Sequence, residues 1–279
     1  MFESNAATVS NPDIKQAIER IRGRYSSIFA IVSPPRCSST AFARVFWEHS
    51  AVGFYCHEPF EVTYYQDQGV EQVLDKLEQP LDLAPIKRAQ TQEAGGALVI
   101  KEMPYQVGPR FPMLTALADQ PIIFLMRDPR LNIASRMAKK REVGDSPIFP
   151  AIESGWELLS RQIAWCRAEG IAHLLVDSRD YRNQPHEIFP QLFDRLGLDF
   201  DPGLLEWRTC PEVELDNLGG EHRHLYREVL ASTGVRPDTV PIPDLESFPE
   251  ENGWREHVAR CVAIYEQLAG LDVRLRPAS

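Results

Sequence analysis

The chain has 279 residues, 43% of them hydrophobic, and a formal net charge of −10. That length suits one large α/β domain, and one domain over residues 1–279 is expected. The negative balance argues against non-specific binding to nucleic acid or an anionic membrane, but not against a local phosphate site. No apolar run reaches the roughly 18 to 20 residues of a membrane span. The opening MFESNAATVS lacks the basic start and apolar core of a secretion signal. Five cysteines (Cys37, Cys56, Cys166, Cys210 and Cys261) lie far apart with no CxxC pair, so neither a disulfide framework nor a zinc site is expected. A reducing cytoplasm fits this usage.

Residues 11–24 have a polar helical pattern, and IFAIV over 28–32 is short, continuous and apolar, the mark of a buried parallel strand. A helix over 39–49 follows, then a strand VGFYC over 52–56 that runs into His57-Glu58-Pro59-Phe60. The pattern predicts a helix over 69–79 and a strand over 97–100 with Lys101 at its end. A helix after Pro112 leads to the strand PIIFLM, which ends at Arg127. Helices are expected over 130–141 and 152–168, the second with Trp156, Leu159 and Ile163 on one face. A strand over 172–176 and a helix over 185–197 come next. The stretch 199–250 is rich in Pro, Gly and charge, with one helical piece near 222–232, and a final helix covers 252–268.

Alternating strands and helices predict a three-layer α/β fold, a mainly parallel sheet covered on both faces. Ligands of such sheets bind beyond the C-terminal strand ends. Arg36, Glu58, Lys101 and Arg127 each follow a different predicted strand end, so one edge collects four charged residues. Between the first strand and its helix stands PPRCSST. A strand, a turn of small residues and a helix is the plan of a phosphate loop, with amides and the helix dipole facing an anion. The GxxxxGK[ST] signature of nucleoside triphosphate loops is absent.

These stretches resemble the sulfotransferase family. SPPRCSSTAF is similar to its 5'-phosphosulfate loop, with Ser38 where the family often has Gly and Cys37 where it has Ser. FLMRDPRLNIAS resembles its 3'-phosphate motif, an Arg followed eight residues on by a Ser, here Arg127 and Ser135. HLLVDSRDYRNQPHEIFPQLFDRLGLDFDP resembles a third stretch, and the three together span about residues 28–202. The resemblance implies a P-loop-like fold and transfer of a sulfuryl group from 3'-phosphoadenosine-5'-phosphosulfate (PAPS) to a hydroxyl or amine of a small-molecule acceptor. The product would be 3',5'-adenosine bisphosphate (PAP), and no metal would be needed. It assigns Arg36, Cys37, Ser38, Ser39 and Thr40 to the 5' end of the donor, Arg127 and Ser135 to the 3'-phosphate, and Glu58 to the role of base. Lys101 would meet charge on the leaving oxygen.

Plainer readings stand beside these. The loop could be an ordinary capped turn, Arg127 could pair with Asp128, and Lys101 with Glu102. His57 rivals Glu58, although alternation along a strand would turn only one of them to the site. His222 and His224 read more simply as surface residues, and Trp47, Trp156 and Trp165 as core. A magnesium-dependent P-loop kinase is the first rival function, although the Walker lysine is missing. A sulfotransferase-like protein that binds a nucleotide without turnover is the second. The acceptor and the oligomeric state are not legible in the sequence.

Overall fold

The computed structural model describes residues 11–88, 96–215, 219–220 and 223–278. Among these, six strands form one sheet: β1 (Ile28–Val32), β2 (Val52–His57), β3 (Leu81–Asp82), β4 (Ala97–Glu102), β5 (Ile122–Met126) and β6 (His173–Asp177). Their order across the sheet is β3-β2-β4-β1-β5-β6. All neighbours run parallel except β3, which pairs antiparallel with β2 at the edge. A two-residue strand has no periodicity to read, which is why the sequence pattern misses it.

The strands separate two apolar cores. Ile28, Ala30 and Val32 of β1 join one, with Ile122, Phe124 and Met126 of β5. Phe29 and Ile31 point to the other, with Ile123 and Leu125. The period of two that alternates side chains across a strand thus feeds both faces, and burial on both explains the unbroken apolar runs. The first face is covered by α1 (Pro12–Arg22), α4 (Val70–Glu78), α6 (Phe111–Leu117), α7 (Pro129–Glu142), α8 (Trp156–Ala168) and α12 (Trp254–Ala269). The second is covered by α2 (Ser39–Glu48), α9 (Ser178–Asn183), α10 (Pro185–Arg195) and α11 (Arg223–Leu230). Trp47 and Trp156 are core residues, and Trp165 packs edge-on against Phe111.

Three short helices are absent from the sequence reading: α3 (Glu61–Tyr65), α5 (Pro104–Val107) and α9. Each is too short to show a 3.6-residue period. The helix expected from 152 begins at Trp156 instead, after a 3-10 turn over Ala151–Ser154. Gly155 breaks it with φ of 81°, and a Cβ there would come within 3.4 Å of the Pro34 Cα. The break therefore abuts the turn that follows β1. Strand β4 is longer than expected, so Lys101 lies inside the ladder, opposite His57 on one side and Ile31 on the other. Among the described residues no helix is long and apolar enough to cross a membrane.

Candidate active site

The turn after β1 is built for close approach. Arg36 and Ser38 both have positive φ, 64° and 59°. Left-handed residues in a turn aim successive amides into one concavity, which suits an anion. At Ser38 a side chain tolerates the conformation that a glycine adopts freely. The turn is fixed from outside, because the Asn132 amide donates to the Pro35 carbonyl at 2.9 Å and the Tyr181 hydroxyl to the Ser38 carbonyl at 2.8 Å. Helix α2 then starts at Ser39, and the Phe42 amide donates to the Ser38 carbonyl. Cys37 is fully buried and burial pushes its thiol up to about 12, so only its backbone can serve a ligand. Ser38, Ser39 and Thr40 line the cleft above the turn.

Arg127 closes β5, and α7 follows at once because Asp128 caps it and Pro129 occupies its first turn. The structure brings Arg127, Ser135 and Arg36 together, each bonded to a partner within the protein. Ser135 Oγ accepts from Arg36 Nε at 3.2 Å. Arg127 donates from Nε and Nη2 to the Asp238 carboxylate at 3.0 and 3.1 Å, and from Nη1 to the Arg36 carbonyl at 3.2 Å. Asp128 pairs with Arg130 instead. Arg136, the neighbouring cation, is tied to Glu153 and stacks on Phe149. Asp238 lies 111 residues beyond Arg127, so no local pattern could join them. Arg182, on the short α9, also reaches this point, with Nη1 3.3 Å from the same carboxylate.

Beside β1, strands β2 and β4 finish side by side, and Glu58 and Lys101 at their ends line the same cleft. The Glu58 amide donates to the Lys101 carbonyl at 2.7 Å, prolonging the ladder by one bond. Glu58 itself has φ of 47°, outside the strand. The alternation expected to separate His57 from Glu58 therefore stops one residue early, and His57 Nε2 lies 3.3 Å from Glu58 Oε1. Lys101 donates to the same oxygen, and Gln106 donates to Glu58 Oε2 at 2.8 Å. Burial pushes the Glu58 carboxyl up, but the Lys101 ammonium and the His57 ring outweigh it and hold the acid well below the ordinary carboxylate range. Lys101 thus pairs with Glu58, not Glu102, whose carboxylate accepts from the Phe60 and Met103 amides. Burial lowers His57, more than Glu58 raises it, so the ring is neutral at neutral pH. Tyr55 sits 2.5 Å from Nδ1, and Tyr226 packs edge-on against the ring. His57 is backing; Glu58 and Lys101 line the cleft.

The cleft that these residues line has a volume of about 560 Å³. Three lysines and five arginines line it against three glutamates and one aspartate, a local reversal of the overall charge. Tyr65, Tyr105, Tyr226 and the half-buried His224 of α11 also line the cleft. His222 lies outside the described residues.

A mainly parallel sheet with a phosphate-type turn after its central strand, and a basic cleft along its carboxyl edge, defines an α/β protein of the P-loop-like class. The model of the family described as sulfotransferase domain matches residues 27–248, and the chain belongs to that family. The sulfotransferase domain of the Synechococcus PCC 7002 olefin synthase is similar in fold, with a TM-score of 0.50 and 19% identity over 87% of this chain and 96% of that one. The sulfotransferase domain from the curacin biosynthetic pathway aligns at 0.49 and 19% identity over 88% and 98%. Mouse sulfotransferase SULT7A1, complexed with PAP, aligns at 0.46 and 10% identity over 95% and 93%. No curated protein matches the sequence significantly.

Proposed function

We propose that this chain transfers a sulfuryl group from PAPS to a hydroxyl or amine of a small-molecule acceptor. The observation that carries the reading is the placement of a left-handed phosphate turn after β1 and a buried Glu58–Lys101 pair, Lys101 on the neighbouring strand β4, along one basic cleft. The fit to the donor rests on the turn's amides and on Arg36, Arg127 and Ser135 converging from β1, β5 and α7. PAPS supplies the sulfuryl group and a phosphate leaving group.

The chain's own groups supply the rest. The turn at 36–40 binds phosphate oxygens through amides and the Ser39 and Thr40 hydroxyls. Arg36 offers a guanidinium to two oxygens at once, and Arg127 with Ser135 meets the 3'-phosphate. Glu58 Oε1 or Oε2 takes the acceptor's proton. With Lys101 against it, Glu58 is ionised but a weak base. A group that draws the Lys101 ammonium away raises the basicity of Glu58, so the two residues suit a step in which negative charge develops beside Lys101. The five buried, unpaired cysteines are in keeping with a reducing cytoplasm.

The test is consumption of radiolabelled PAPS with an acceptor library, read by mass detection of a sulfuryl addition and run with and without magnesium. Acceptor-dependent PAP release that EDTA leaves unchanged is expected. Magnesium-dependent consumption of ATP would replace this reading with the kinase. PAP binding without turnover on any acceptor would favour the non-catalytic one.

A further inference from the structure

The strap over residues 234–243, Gly-Val-Arg-Pro-Asp-Thr-Val-Pro-Ile-Pro, crosses the end of the cleft where Arg127 and Arg182 stand. It carries no helix or strand, yet it is tightly held. Arg182 donates to the Arg236 carbonyl at 2.8 Å and to the Pro237 carbonyl at 3.0 Å. The Asp238 amide donates to Asn183 Oδ1 at 2.9 Å. At the centre the Asp238 side chain, with 0% exposure, accepts both arms of the Arg127 guanidinium and lies 3.3 Å from Arg182 Nη1. Arg236 and Val240, two residues to either side, line the cleft.

A carboxylate forked by one arginine and approached by a second is also the geometry with which guanidinium groups take a phosphate. Three of Arg127's five N–H groups are engaged, the Nε–Nη2 edge by Asp238 and Nη1 by the Arg36 carbonyl. An anion can take the two-pronged Nε–Nη2 edge of Arg127 only where Asp238 now sits. We infer that Asp238 competes with the 3'-phosphate of the nucleotide for Arg127 and Arg182, so that nucleotide entry displaces the strap and Asp238 sets how strongly the 3'-phosphate is felt. The inference rests on the sulfotransferase reading. It makes Asp238 a specificity determinant of the donor end rather than a support for Arg127. A support would leave the two-pronged edge of the guanidinium to the ligand, whereas here the carboxylate holds that edge itself.

Asp238→Asn removes the charge and keeps the shape. Titration calorimetry of wild type and variant with PAP and with AMP, which lacks the 3'-phosphate, reads the effect. The variant is expected to bind PAP about ten- to hundredfold more tightly, the factor a charge-assisted contact carries, with AMP affinity unchanged. PAP binding that is unchanged or weaker in the variant overturns the inference, weaker binding marking Asp238 as a support. Failure of both proteins to bind PAP overturns the sulfotransferase reading itself, and this proposal with it. Hydrogen exchange on the wild type is a second measurement that does not depend on the variant's folding. On addition of PAP the Asp238 and Val240 amides should exchange faster, because the strap leaves Asn183 and Arg182; slower exchange there overturns displacement.

Discussion

Glu58→Gln separates the chemistry of the cleft from its architecture. The substitution preserves side-chain shape but takes one charge from a pair in which Glu58 is 1% and Lys101 2% exposed. Removing one partner of a buried ion pair leaves the other charge uncompensated, at a cost of about 3–5 kcal/mol. A hydrogen bond from Gln106, at 2.8 Å in the wild type, can persist to the amide oxygen and softens that loss. The sign of the pH dependence follows from the depressed Glu58 acid. Its contribution is fully present above the unfolded value near 4.3 and fades as pH falls from there toward the much lower folded value. The stability gap between wild type and variant should therefore be constant above about pH 5 and narrow in stronger acid. Turnover should fall by about 10² to 10⁴ if Glu58 accepts the acceptor's proton. Urea denaturation, steady-state turnover and PAP calorimetry on the same preparations check these together. The double variant Glu58→Gln with Lys101→Met removes the orphaned ammonium, so it should recover stability through a coupling of about 0.5–3 kcal/mol while turnover stays low. Wild-type turnover in Glu58→Gln would refute Glu58 as the base. A rate restored in the double variant would show that the single variant failed through misfolding and not through lost chemistry.

His57→Gln should be milder than Glu58→Gln in kcat, because the ring backs Glu58 and does not line the cleft; the reverse order would move the base to His57. PAP should bind more tightly than AMP by about tenfold or more in calorimetry, since only PAP carries the 3'-phosphate that would draw Arg127 and Ser135 from their partners within the protein. Arg36→Ala should lose turnover by a large factor with little change in the urea midpoint, because the half-buried side chain reaches over the cleft to Ser135 and fills no core space. Ser38→Val should cost about 1–2 kcal/mol in urea denaturation, since φ of 59° crowds any Cβ and a branched one most.

Much of the scaffold is written locally. Continuous apolar runs at 28–32 and 122–126, five residues long and bounded by turn residues, read as strands buried on both faces, and the parallel order of strands and helices sends their C-terminal ends to one edge. From that rule alone Arg36, Glu58, Lys101 and Arg127 share an edge, and Pro34 to Thr40 stands where a phosphate turn belongs. Tertiary structure decided which of those charges meet. Lys101 finds Glu58 across 43 residues because β2 and β4 pair in the register that sets His57 opposite Lys101. His57 and Glu58 both enter that network because φ of 47° at Glu58 ends the period of two that the strand argument assumed. Arg182 comes from a six-residue helix with too few turns to show a period, and Asp238 from a proline-rich strap with none. Periodicity reports how a residue faces its own element. Which distant carboxylate an arginine reaches depends on how separate elements pack, and that is settled only when the whole chain has folded around them.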